Sequence, residues 1–199
     1  AHLHLSQLSA ADSVLQVKTA KERGINVTAD VAIHHLLYTD EQVENFNSAF
    51  HCMPPIRSES DRLALLEGVK SGTIDAITSA HQPHEAAAKQ MPFGETEPGM
   101  SNIELLLPMA VELNDHHKLP LTNFIAAMTT QSANVLNLKK PEISAGSAAN
   151  LCIFDPTKIW SLKTEDLLSK GKNSPSIGQK LKGKVKTTIY EGIIAFNDN

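Results

Sequence analysis

Apolar and polar positions alternate between two rhythms along this chain, and the rhythm changes once. Up to about residue 118 a short apolar run, a polar loop and a helical stretch recur in that order. His2–Leu8 reads as a strand. Ser9 and Ser13 are candidate caps for a helix to about Arg23 that carries Val14 and Val17 on one face, with Gly24 placed to end it. INVTADVAI (25–33) is a β-branched, apolar second strand. Thr39, Glu41 and Glu44 then suggest a helix or turn start. SAFHCMPP (48–55) reads as a third strand ended by its proline pair. SESDRLALLEGVKSG (58–72) is amphipathic: Ser58 or Ser60 caps it, Leu63, Leu65, Leu66 and Val69 are apolar, and Gly72 stops it. TIDAITS (73–79) is a fourth strand, SNIELLLPMAVEL (101–113) a helix, and 121–138 one more.

Strands alternating with helices predict a parallel βα arrangement. After residue 140 the texture shifts to period-2 alternation in GSAANLCIFDP, TKIWSLK and KVKTTIYEGIIAF. The expected fold is therefore α/β: about four βα units over 1–140, half of a TIM-type barrel with a trailing helix, then a small β unit over 141–199, the C-terminal segment of a small β-sandwich domain. Half a barrel leaves two unpaired sheet edges, which folded proteins avoid. The chain also opens inside a strand and without Met. Both features lead us to expect a fragment, completed by the missing barrel half or another chain in an oligomer.

Composition narrows the function. A net charge of −4 without a long basic run argues against nucleic acid or an anionic membrane surface as partner. Lys180, Lys182, Lys184 and Lys186 alternate as solvent-facing strand positions would. No run reaches the length of a membrane span, and the N-terminus lacks the build of a signal peptide, so a cytoplasmic protein is expected. Cys52 and Cys152 lie in apolar runs and are expected to be buried free thiols.

In a parallel barrel, reactive groups collect at the C-terminal strand ends. Here those ends offer Gln7, the pair His34-His35, Met53, and Ala80-His81 followed by His84. Zinc needs three or four converging His, Asp or Cys donors, and the first and fourth ends hold an amide and a methyl group instead. His2, His4, His51, His116 and His117 read as ordinary hydrogen-bonded histidines. If 34–35 continue a strand, the two imidazoles point to opposite faces, and only one serves a given site.

The stretches VTADVAIHHLLYTDE, PPIRSESDRLALLEGVKSGTIDAI, HQPH, PGMSNIE, SAGSAANLCIFDP and DLLSKGKNSPSIGQKLKGKVKTTIYEG stand in order across the chain. Together they resemble the C-terminal half of the type I dihydroorotases of the amidohydrolase superfamily. The resemblance implies a metal histidine where HLSQLS places Gln7, and a second at His34, with His35 the alternative. It implies a ring-contacting asparagine where Met53 stands, and a metal-touching, proton-shuttling aspartate where Ala80 stands. The substrate-binding remnants it implies are His84, Pro98 and Gly99.

A methyl group neither accepts nor delivers a proton, and losing a general base costs ~10²- to 10⁴-fold in rate. A glutamine oxygen is a poor substitute for imidazole toward zinc. The expectation is a non-catalytic dihydroorotase homologue of pyrimidine biosynthesis, with no catalytic residue and no cofactor of its own. The resemblance implies a structural role beside aspartate transcarbamoylase. The alternatives are an active zinc-dependent dihydroorotase or related cyclic-amide hydrolase that recruits replacement ligands from the missing half, with His51 the nearby spare imidazole and His51, His81 or the missing half supplying a base, and a sensor that binds a carboxylated ring without turnover.

Overall fold

The computed structural model describes residues 1–117, 120–140 and 142–198. Its first part is a three-stranded parallel sheet, β1 (Leu3–Leu5), β2 (Val27–Ala32) and β3 (Ala76–Thr78), in that spatial order. Leu3 pairs with Val27, and Asp30 with Ala76. β2 is buried along nearly its whole length, as expected of a central parallel strand covered on both faces.

The anticipated strand at 48–55 is absent. Ser48–Phe50 form a 3-10 turn, and the chain then runs through a cis Met53–Pro54 bond to Arg57. Pro54 and Pro55 have no N–H to give a ladder, so β2 pairs directly with β3 and the 48–57 segment loops out at the strand ends. Among the described residues three strands, not four, are hydrogen-bonded in this half barrel.

Helix α1 (Ala11–Glu22) packs against α3 (Glu59–Ser71) over the sheet. Neither Ser9 nor Ser13 caps α1. Its N-cap is Ala10, which has no side-chain acceptor, and Asp61 of α3 supplies one by accepting from Ala11 N–H at 2.8 Å. Ser58 caps α3, and Gly72 ends it at φ 76°. Leu65, Leu66 and Val69 are buried, whereas Leu63 is exposed. Thr39 opens a short 3-10 turn with Gln42, rather than a glutamate, accepting from its N–H.

Residues 33–37 form a helical turn, α2 (Ile33–Leu37), packed on α3 and α4 (Leu106–His117). The helix expected over 121–138 breaks at Thr129, giving α5 (Leu121–Met128) and α6 (Thr130–Val135).

The second sheet is antiparallel: β4 (Leu151–Ser161), β5 (Lys180–Tyr190) and β6 (Ile193–Asn197), ordered β4-β5-β6. Glu191 and Gly192, both at positive φ, turn the β5–β6 hairpin. Cys152 is exposed on β4, contrary to expectation, because the apolar residues of this sheet (Ile153, Ile193, Ile194) are themselves largely uncovered among the described residues. Three of the β5 lysines are ion-paired: Lys182 with Asp115, and Lys184 and Lys186 with Asp198.

Leu162, Leu167 and Leu181 join Val17, Leu65 and Phe124 in one core, so the β unit is packed onto the half barrel. Residue 141, where the second segment was expected to begin, lies outside the described residues, as does residue 199. No described helix is long and apolar enough to cross a membrane.

Candidate functional site

The site lies where β1, β2 and β3 end. Beyond β1 the chain turns at Gln7, a non-glycine residue at φ 56°. Its N–H donates to Asp30 Oδ1 at 2.7 Å, and Ser6 Oγ and His4 Nε2 lie 2.9 and 2.8 Å from Asp30 Oδ2. A left-handed backbone costs an ordinary residue about 1–2 kcal/mol, offset here by bonds to a buried carboxylate. The half-buried Gln7 is therefore fixed in place by a neighbouring strand.

β2 passes straight into α2, so His34 and His35 are helical neighbours and the strand-alternation argument does not apply to them. Both are buried, 3% and 2% exposed, with ring centroids 4.5 Å apart. Burial, and then the neighbouring His35, lower the His34 pKa to about 3. Burial also lowers His35, against the opposing pull of two backbone carbonyls. Both imidazoles are neutral at physiological pH.

His35 Nε2 lies 3.1 and 3.3 Å from the carbonyls of Pro54 and Pro55. Two acceptors there place the proton on Nε2. Nδ1 then carries a lone pair, and it is buried without a hydrogen-bond partner. His34 Nδ1 is 3.2 Å from the side-chain amide of Asn102, whose Oδ1 is likewise buried and unpartnered.

The 48–57 loop places Met53 outward, 61% exposed, and Cys52 inward, 4% exposed. The Cys52 thiol donates to Pro54 O at 3.3 Å, and burial pushes its pKa up to about 11. One donor atom from each of His34, His35 and Cys52 lies within 4.8 Å of the others. Two imidazoles and a sulfur are a donor set that zinc accepts. His51, two residues before Met53, lies 2.7 Å through Nδ1 from Thr96 Oγ1, which itself donates to Phe93 O.

After β3, Ala80 sits at φ 43° with its N–H on Thr78 Oγ1. His81 Nδ1 accepts from the backbone N–H groups of Asn102 and Ile103 at 3.2 and 3.3 Å, and its Nε2 lies 3.4 Å from Ser169 Oγ. Its lone pair is thus already engaged. His84 Nε2 lies 3.1 Å from Pro98 O. The adjoining Gly99 is at φ 134°, and a Cβ there would stand 2.4 Å from Gln82 Cβ, so only glycine lets the two loops approach this closely.

Asn173 binds these loops together. Its Oδ1 accepts from His84 N–H at 2.7 Å, and its Nδ2 donates to Gln82 O at 2.9 Å and Gly99 O at 3.1 Å.

Among the residues singled out in the sequence, the fold brings His34 and His35 together, and His84 with Pro98 and Gly99. Gln7, Met53 and Ala80 end their segments without offering an acid, a base or an imidazole. Sequence reasoning gave no role to Asn102, Asn173 or Ser169, and read Cys52 only as a buried thiol. Asn102 and Asn173 both stand inside stretches that carry the family resemblance, PGMSNIE and SKGKNSPS, and a polar amide within such a run was the available signal.

Residues 1–194 match the profile of the Amidohydrolase family. A "Dihydroorotase-like protein" of Pseudomonas aeruginosa is 44% identical over 189 residues, covering 95% of this chain and 44% of that protein. A "Dihydroorotase" of Syntrophus aciditrophicus is 36% identical over 199 residues, covering 100% of this chain and 47% of that one. The crystal structure of dihydropyrimidinase from Brevibacillus agri superposes with a TM-score of 0.89 at 23% identity, covering 99% of this chain and 45% of that one. The chain thus spans less than half the length of these three proteins.

Proposed function

The chain belongs to the amidohydrolase family as a dihydroorotase-like homologue, and from that premise we propose that it is part of a non-catalytic member serving as structural partner of aspartate transcarbamoylase. The observation that carries this reading is Ala80. Opening or closing a cyclic amide needs a group that takes a proton from the nucleophile and delivers it to the leaving nitrogen. At the end of β3 that position holds a methyl group. The adjacent His81 has its lone pair committed to two backbone N–H groups, and His84 is turned to Pro98 O. Gln7 beyond β1 and Met53 on the 48–57 loop bring no ionisable group either.

β1 pairs only with β2 among the described residues, and Leu3 and Leu5 on it are 55% and 38% exposed. An uncovered apolar edge strand invites a partner, and the other half of the barrel is the first candidate to cover it.

A second reading is supported by the His34–His35–Cys52 cluster: a zinc-dependent cyclic-amide hydrolase using replacement ligands. In that case the three side chains would hold the ion, which would supply Lewis acidity, and this chain would still have to find a base. Full-length protein purified from its own cells separates the readings, by native mass spectrometry together with a dihydroorotate hydrolysis assay. A stoichiometric complex with a transcarbamoylase and no turnover supports the scaffold role. Turnover that disappears on chelation overturns it in favour of the hydrolase.

A further inference from the structure

We infer that His34, His35 and Cys52 form a binding site for a thiolate-preferring metal ion of the zinc class, with all three protein ligands supplied by this chain. The inference does not depend on whether the protein is catalytic, and Cys52 has no part in the site that the resemblance implied.

Three observations carry it. The first is His35 Nδ1. With its proton held at Nε2 by the Pro54 and Pro55 carbonyls, the imidazole presents an Nδ1 lone pair in a buried position where no protein donor reaches it. Buried acceptors are almost always satisfied. An imidazole whose far N–H is bonded to a backbone carbonyl is also how metal-bound histidine is ordinarily oriented.

The second is convergence. Cys52 comes from the loop that replaces the expected strand at 48–55, and the histidines from the helical turn after β2. All three are buried, and one ring nitrogen of each histidine and the Cys52 sulfur lie within 4.8 Å of one another. Zinc–nitrogen and zinc–sulfur bonds of about 2.0–2.3 Å in a tetrahedron bring donors to about 3.3–3.8 Å, so closing the site takes shifts on the order of an ångström.

The third is Asn102. Its Oδ1 is the other buried, unpartnered polar atom, on the amide that lies 3.2 Å from His34 Nδ1. Which amide atom is oxygen is a matter of orientation. Turned half a rotation, Oδ1 accepts from His34 Nδ1–H and leaves the Nε2 lone pair for the ion. The rotation alone gives Oδ1 its partner, and the bound ion accounts for the orphaned His35 Nδ1.

The donor set selects the ion. A thiolate and two imidazoles suit zinc and its soft neighbours, not calcium or magnesium, which take oxygen ligands. Binding releases the thiol proton to solvent as the sulfur–metal bond forms. With the donors this deeply buried, the ion enters as the segment folds.

The test uses the full-length protein, unfolded and refolded free of metal and then supplied with cobalt(II) as a spectroscopic stand-in for zinc. We expect a thiolate-to-cobalt charge-transfer band in the near ultraviolet with tetrahedral d–d bands, both displaced by zinc. Cys52→Ser should abolish the charge-transfer band, and Asn102→Ala should weaken cobalt binding by ~10- to 100-fold, as loss of an orienting partner does. A band that survives in Cys52→Ser, or none at saturating cobalt, overturns the site.

X-ray absorption at the zinc edge needs no variant. One sulfur at about 2.3 Å supports the assignment, and a shell of nitrogen and oxygen alone refutes it. Neither readout responds to turnover or to partner binding, so the scaffold proposal can fail without this one, and the reverse.

Discussion

Replacing Asn173 with alanine should loosen the site without touching any strand or helix. Its side chain makes three bonds to backbone, to His84 N–H and to the carbonyls of Gln82 and Gly99. A typical intramolecular hydrogen bond is worth about 0.5–1.5 kcal/mol net. These three are partly exposed, which places the sum at about 2–3 kcal/mol.

Because the bonds join two loops and no regular element, the loss should appear as local opening, not global unfolding. An opening free energy lower by that amount raises amide exchange roughly 30- to 150-fold. Hydrogen–deuterium exchange by mass spectrometry on the full-length protein reads this directly, in peptides spanning residues 80–86 and 97–101. Asn173→Asp is the informative companion, since it keeps the acceptor for His84 N–H and loses both donors. If exchange at these peptides stays within about 3-fold of wild type, while the circular dichroism spectrum is unchanged, the clamp is not what holds the loops and the reasoning is wrong.

Two further outcomes follow from packing and charge. Leu65, 1% exposed at the centre of the core, should cost ~2–5 kcal/mol when cut to alanine, seen as a lower urea midpoint with little change in slope; a loss under about 1 kcal/mol would mean the site collapses around the gap. Asp61 is held below the usual carboxylate range first by the Ser58 hydroxyl and then by the Ala11 N–H. Its ionised form therefore adds stability above the unfolded value of about 3.9, lost as pH falls through the folded value. Asp61→Asn keeps an acceptor for Ala11 but not the charge, so urea midpoints between about pH 5 and pH 2 should fall less steeply than in wild type. Equal slopes would discount the carboxylate.

The residue pattern alone determined the α/β class, the parallel βα rhythm, the β character of the C-terminal segment, and the ends of α3. These depend on periodicity, caps and stop residues, which act within a few positions along the chain. That Gln7, Met53 and Ala80 carry no acid, base or imidazole was equally legible, because side-chain chemistry does not depend on the fold. Tertiary structure decided the rest. The proline pair was visible, but only the direct β2–β3 pairing showed that 48–57 leaves the sheet and turns Cys52 inward. Periodicity could not reveal that β2 becomes a helical turn at Ile33, which puts His34 and His35 side by side where strand geometry would have parted them. The tautomer of His35, the engaged lone pair of His81 and the clamp from Asn173 rest on contacts between residues 19 to 91 positions apart. Such contacts leave no local signature, because the free energy that forms them comes from the burial of other residues.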